Sequence, residues 1–187
     1  MAQILFAMER AALQSVRAEP RTLELAQDEV VIRALDGTEL QVIPFDPDAL
    51  TDFNQDYFMT TPDINFDGNA DLLLIYSQGL QNIYYDGWLW DGASGRYVYV
   101  PKMRELSSPR FDPKTRRIYT YEHGSATHSV SGAWAWQDGI LAELRRDEVT
   151  YDDETQLFTI RTYERQDDGT LALIREEQRT QDQMKSL

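Results

Sequence analysis

The sequence predicts a mainly β protein, an antiparallel meander forming a sandwich or small barrel, and three observations carry that prediction. Turn signals recur roughly every 10 to 15 residues. The segments between them are rich in β-branched and aromatic residues, and no long helical period separates them after Pro20. At 187 residues, with 42% hydrophobic side chains, one domain over 1–187 can bury about 70% of its unfolded surface and needs no staples. Its core is expected over about 21–175.

Taken from the N-terminus, Ile4, Leu5, Met8, Ala12, Leu13 and Val16 fall near the helical period before Pro20 ends it. This predicts a short helix within 1–20. The apolar run Ile4–Met8 is broken by Glu9 and Arg10, which is too short for a secretory h-region, and nowhere do about 20 apolar residues run together to span a bilayer. Val30–Leu35 reads as a strand, Asp36-Gly37 as a hairpin turn, and Glu39–Ile43 as the returning strand.

Three later segments share one grammar: an aromatic residue, an Asp, a short turn with Ser or Thr, then a strand. They are Trp90–Tyr97, Phe111–Ile118 and Tyr151–Phe158. In each, the Asp carboxylate can accept backbone N–H groups two or three residues on and close a hairpin. Gln137-Asp138-Gly139 and Asp167-Asp168-Gly169 fit the same scheme. The run from Glu176 to Leu187 has no apolar stripe and reads as a solvated strand end with a frayed tail.

Charge and composition exclude several functions. The net charge is −14, from 32 acidic and 18 basic side chains, so the surface repels polyanions and no nucleic-acid partner is expected. With no cysteine, disulfides, thiolate metal sites and cysteine nucleophiles are absent. Ser125 and Ser129 lack the strand–turn–helix elbow of an acyl-transfer serine. Asp152/Asp153 and Asp167/Asp168 are neighbours in sequence, and neighbouring strand residues face opposite ways, so neither pair can flank one glycosidic bond. No catalytic residue is assigned.

The most specific local signal is Asp63-Ile64-Asn65-Phe66-Asp67-Gly68-Asn69-Ala70-Asp71, running straight into Leu72–Tyr76. Oxygen-bearing side chains at its first, third, fifth and ninth positions converge when the loop winds tightly, and glycine at the sixth permits the reversal. Those are the needs of a calcium ion, with the backbone carbonyl of Asn69 as a further ligand and Asp52 or Asp56 as sources of missing ones. A helix–loop–helix hand is excluded, because Leu74 stands where a bidentate Glu belongs and Thr60-Thr61-Pro62 cannot end a helix. The loop resembles the strand-associated calcium loops of integrin-type repeats and of several bacterial envelope families. An Asx-rich turn that binds nothing is the alternative.

His123 and His128 lie in Glu122–Ser129, whose Gly, Ser and Thr read as an exposed, flexible loop; with Glu122 they match no zinc spacing. Trp88/Trp90 and Trp134/Trp136 are alternating pairs, each placing two rings on one face of a strand. Such rings either fill a sandwich core or form a platform for a sugar or protein.

The order of these parts resembles a known family. The hairpin ending Leu40–Ile43, the loop Asp63–Leu72, the strand closing with Ser94-Gly95-Arg96-Tyr97, the turn Phe111–Thr115 and the strand Ala133–Leu141 are similar to Gram-negative periplasmic proteins that carry one calcium loop. That family includes immunity proteins against peptidoglycan hydrolases delivered by secretion systems, and its β-rich fold is related to periplasmic lysozyme inhibitors. The resemblance covers roughly residues 28–145. It implies a periplasmic, calcium-stabilised, non-enzymatic protein whose partner is a cell-wall hydrolase of lysozyme type. Related inhibitors present Ser-Gly and a nearby Tyr on a loop that enters the hydrolase cleft, so the resemblance points to Ser94, Arg96 and Tyr97, with His123 and Ser125 on the second loop as an equal candidate. An envelope module that holds a glycan or protein on its tryptophan faces is the second reading.

Overall fold

Residues 21–185 are described in the computed structural model; the helix expected within 1–20 lies outside them. The described elements are overwhelmingly antiparallel strands arranged in three sheets, and they group into two compact units. One runs through Gln78 and includes Ile83–Glu105; the other holds Gly79–Asn82 and the chain from Leu106 onward.

The first unit begins with β1 (Arg21–Leu25), β2 (Glu29–Ala34) and β3 (Glu39–Pro44), a three-stranded meander. The β2–β3 turn falls at Asp36-Gly37, with Gly37 at φ 87° and the Asp36 carboxylate accepting from Thr38 N. Then come β4 (Met59–Thr60), β5 (Leu72–Gln78), β6 (Ile83–Asp91) and β7 (Arg96–Tyr99) in a four-stranded sheet. Within this unit, Val30, Ile32 and Ile43 from the three-stranded sheet share a core with Leu72, Leu74, Trp88 and Trp90 from the four-stranded sheet and with Phe58 just before β4.

This arrangement is sandwich-like, and the closed small barrel does not form. β4 and β7 are only two and four residues long, too short to complete a ring of ladder bonds. A side chain covers the exposed edge instead: Gln41 Nε2 donates to Tyr97 O at 3.0 Å and Gln41 Oε1 accepts from Tyr97 N at 2.8 Å. That pair copies the two bonds a neighbouring strand would make. β5 is buried over Leu72–Ile75, as expected of a strand covered on both faces. Beside β6 lies a 3₁₀ turn at Pro101–Glu105, whose Met103 reaches sheet backbone because residue 87 is glycine. A Cβ on Gly87 would lie 2.6 Å from Met103 Cγ.

The second unit is a six-stranded meander of β8 (Arg110–Asp112), β9 (Arg117–Ser125), β10 (His128–Gln137), β11 (Ile140–Asp152), β12 (Leu157–Arg165) and β13 (Leu171–Arg179). Its hairpins use the predicted Asx chemistry. Asp112 accepts from Lys114 N, Asp152 from Glu154 N and Thr155 N, and Asp168 from Thr170 N; in the first unit Asp91 accepts from Ala93 N. Asp138 and Gly139 both take positive φ, 49° and 79°, the two-residue turn suited to strand twist.

At the C-terminus the frayed tail gives way to regular structure. β13 runs to Arg179, and α1 (Gln181–Met184) is closed by a reciprocal Thr180–Gln183 capping box. Where an apolar stripe is missing, the cross-strand pair Arg161–Glu176 at 2.6 Å ties β13 to β12, and Arg179 pairs with Glu177 at 2.8 Å along β13 itself.

Candidate functional site: the acidic loop and the hairpin tips

The loop from Asp63 to Asp71 winds as its residue types dictate. Phe66 and Gly68 take φ 61° and 91°, reversing the chain twice within three residues. Asp63 accepts from Asp67 N at 3.0 Å and from Gly68 N at 3.0 Å, Asn65 Oδ1 from Asp67 N at 3.1 Å, and Asp67 Oδ1 from Asn69 N at 2.8 Å. Asp63, Asn65 and Asp67 are thus wrapped around one turn of backbone, and Asn65 Nδ2 also donates to Asp67 Oδ2 at 2.9 Å.

Asp71 behaves differently. It is fully buried, and its two oxygens bind two separate backbone donors: Oδ2 accepts from Ile64 N at 2.7 Å and Oδ1 from Trp90 N at 2.8 Å. Its own N–H donates to Pro62 O at 2.9 Å. The carboxylate therefore fastens both ends of the loop to β6. Burial pushes its pKa up to about 7, the two amide donors pull against that, and Asp67 and Asp63 add to the rise.

A residue outside the predicted set backs the loop. The Arg21 guanidinium donates to Ala70 O at 2.6 Å and to the Tyr97 hydroxyl at 3.1 Å, and stacks 3.8 Å from the Trp90 ring centroid. Arg21 is 49 positions from Ala70 in sequence, so no local pattern could reveal it.

As a metal centre the loop offers an oxygen-only donor set, hard in character and suited to calcium. The side chains of Asp63, Asn65 and Asp67 and the carbonyl of Asn69 belong to its exposed turn. Among the described residues no group of three or more His, Cys, Asp or Glu side chains gathers to hold a metal ion. Any ion here would depend on amide, carbonyl and water oxygens beside the carboxylates.

The two loops expected to meet a partner fare unequally. Ser94, on the turn between β6 and β7, and Arg96, the first residue of β7, are exposed. Tyr97 corrects the expectation. It is 4% exposed, its ring packs edge-on against Trp90 at 5.1 Å, and its hydroxyl is turned inward to Arg21 and Ala70 O. Strand alternation places residue 97 inward when its neighbour Arg96 points out.

The segment 122–129 is a β-hairpin tip instead of a flexible loop, with β9 and β10 joined by Ala126-Thr127. Thr127 N donates to Ser125 Oγ at 3.2 Å, while Ser125 stays exposed. The half-buried His123 is pinned through its backbone: its N–H donates to Asn82 Oδ1 at 2.9 Å and its carbonyl accepts from Asn82 Nδ2 at 3.0 Å. Gly124 gives room to the other imidazole, since a Cβ there would sit 2.6 Å from His128 Nδ1.

Of the four tryptophans, Trp88, Trp90 and Trp134 are 9%, 4% and 7% exposed, so they are core residues. Trp134 Nε1 reaches Thr120 Oγ1 at 3.2 Å across the space left by Gly132.

No protein-family model matches the chain, and no curated protein matches it. Among solved structures it is similar to one described as the structure of a Xanthomonas type IV secretion system related protein, with a TM-score of 0.59 over 83% of this chain and 81% of that one. The chain shares that fold. Sequence identity is 14%, so the likeness concerns fold alone.

Proposed function

We propose that this protein is a non-enzymatic inhibitor or immunity protein that binds and blocks a peptidoglycan hydrolase of lysozyme type in the periplasm, with calcium held by the Asp63–Asp71 loop. The observation that carries the reading is the division of the surface. The tryptophan rings that could have served as a sugar platform are mostly spent in the core, whereas the polar tips at Ser94–Arg96 and His123–Thr127 are presented on well-paired strands. Firmly held polar tips suit insertion into a concave enzyme surface, since little ordering entropy is lost on binding. The fold likeness to a secretion-system-related protein is compatible with this reading. The glycan-binding alternative is less well supported because only Trp136 of the four rings escapes full burial.

The test is a turbidity assay in which a basic muramidase lyses a wall suspension with and without the protein, paired with a pull-down. Slowed lysis and a recovered complex are expected. Undiminished lysis across a panel of muramidases, with no complex, overturns the inhibitor reading. The metal is tested separately by melting in calcium and in chelator. A ligand that binds only the folded state adds about 2.7 kcal/mol at 100 times its Kd, so melting temperature should rise in calcium; equal values remove calcium from the proposal.

A further inference from the structure

The last strand of a sheet leaves backbone donors and acceptors free on its outer side, and the two ends of the six-stranded sheet are unlike. β8 stops after three residues, whereas β13 runs for nine. Among the described residues β13 is the longest strand at a sheet end, against six residues for β3, five for β1, four for β7 and two for β4. β12 is the one described strand that pairs with it.

Strand parity identifies the free groups. Tyr151 N donates to Thr127 O at 2.7 Å, so Val149 and Tyr151 in β11 turn their backbone groups toward β10, and Glu148 and Thr150 turn theirs toward β12. Glu148 stands opposite Arg161 and Thr150 opposite Thr159, which leaves the even residues of β12 to face β13. Those are Phe158, Ile160 and Thr162, opposite Arg179, Glu177 and Arg175. The backbone N–H and C=O of Glu176 and Gln178 therefore point off the edge. Thr180 follows the same parity, but its N–H is turned onto Gln183 Oε1 at 2.8 Å. A register shift opposite Thr162 and Tyr163 twists the strand before Arg175, so the regular free edge is Arg175–Arg179.

Exposed edges are commonly blunted by lysine or proline, and residues 175–179 contain neither. Their charge also departs from that of the chain. Arg175 and Arg179 against Glu176 and Glu177 sum to zero in a protein of net charge −14. A neutral edge with free backbone groups suits another strand of the same kind, and two identical strands meeting about a two-fold axis must be self-complementary. An axis at Arg175, Glu176, Glu177 or Arg179 would set that residue against its own like charge, which is destabilising. An axis at Gln178 sets amide against amide, Glu177 against Arg179 twice, and Glu176 against Thr180 twice. α1 begins at Gln181 and ends the ladder there.

We infer that two copies of this chain associate by antiparallel pairing of their β13 edges, with the two-fold axis at Gln178. Repulsion between the two acidic molecules is screened beyond about 8 Å at physiological salt, while the contact itself is neutral. The inference is independent of the inhibitor reading, since it uses neither the acidic loop nor the hairpin tips.

The experiment is sedimentation equilibrium of the full-length protein from about 1 μM to about 1 mM, a span of weak to moderate affinities, with amide exchange followed in parallel. The mass should double across this range, and the Glu176 and Gln178 amides should gain protection as it does. Gln178→Pro removes the N–H on the axis but no bond to β12. It should stay monomeric and, in dilute solution, melt with the unmodified protein. Because the chain has no cysteine, Gln178→Cys places one thiol of each copy opposite the other. Directly opposed Cα atoms lie about 5.5 Å apart, within disulfide reach, so oxidation by diamide, which takes up the two thiol hydrogens, should give a covalent dimer. Glu176→Cys should give none, since its two copies would lie roughly 14 Å apart along the strands. A protein that stays monomeric throughout overturns the inference, and so does protection of the two amides that does not depend on concentration, because the edge is then covered from within the chain. A dimer left intact by Gln178→Pro overturns the assignment to β13, and cross-linking at 176 in place of 178 overturns the axis.

Discussion

Asp71 shows how one side chain can be read correctly for its position and differently for its task. Its place at the ninth position of the acidic loop points to a ligand, yet its oxygens are engaged by Ile64 N and Trp90 N. An alanine at 71 leaves two buried N–H groups without acceptors, at roughly 1–3 kcal/mol each. Asp71→Ala should therefore lower the urea midpoint strongly even in chelator, where no metal can contribute. A midpoint equal to the unmodified protein's would remove Asp71 from the framework and return it to the ligand set. Tyr97 makes the same point: the Ser-Gly-Arg-Tyr run is visible in the sequence, but which of its members faces out follows from strand alternation and from Arg21, a distant residue.

At the scale of elements, the strands and turns were largely legible because their causes are local. Asx carboxylates closing onto nearby N–H groups, and Asp-Gly or other positive-φ turns, need only a few neighbouring residues. How the edges are finished was not legible, because it joins residues far apart. Gln41 covers β7 across a separation of 56 positions. Gln41→Ala should cost about 1–3 kcal/mol through the two backbone groups it exposes, read as a lower urea midpoint; Gln41→Glu keeps one acceptor for Tyr97 N and should recover only part of the loss. Midpoints unchanged in both would mean that solvent satisfies Tyr97 equally well.

The β11–β12 pair carries its own pH dependence. Burial raises the Asp147 pKa, but the Arg145 fork and the Thr162 hydroxyl, which donates at 2.6 Å, outweigh it and hold the carboxyl below its usual value. A depressed folded-state pKa gives stability that is present above the unfolded value, about 3.9 for Asp, and is lost as pH falls through the folded one. Acid unfolding of the native protein should thus steepen below about pH 4, and Asp147→Asn should flatten that limb. Parallel pH profiles for the two proteins would show that Asp147 contributes nothing to acid stability.

For the whole molecule, the net charge of −14 sets up a field that repels polyanions and attracts basic surfaces. If the partner is a basic muramidase, its association rate should fall about tenfold or more between 0.05 and 0.5 M salt, as steering is screened. Dissociation should change far less. A salt-independent association rate would mean that shape alone guides the encounter. Calcium at the acidic loop would reduce the negative charge by two without changing its sign.

The sequence by itself determined the β class, the hairpin turns, the tight acidic loop and the sign of the field, since each rests on neighbouring residues or on composition. Tertiary structure decided the division into two compact units, the open sheets in place of a barrel, the burial of Trp88, Trp90, Trp134 and Tyr97, and the place of β13 at the end of its sheet. The physical reason is separation along the chain. Turn chemistry acts over two to five positions, whereas burial, edge capping and strand order are set by residues that only the completed fold brings within reach.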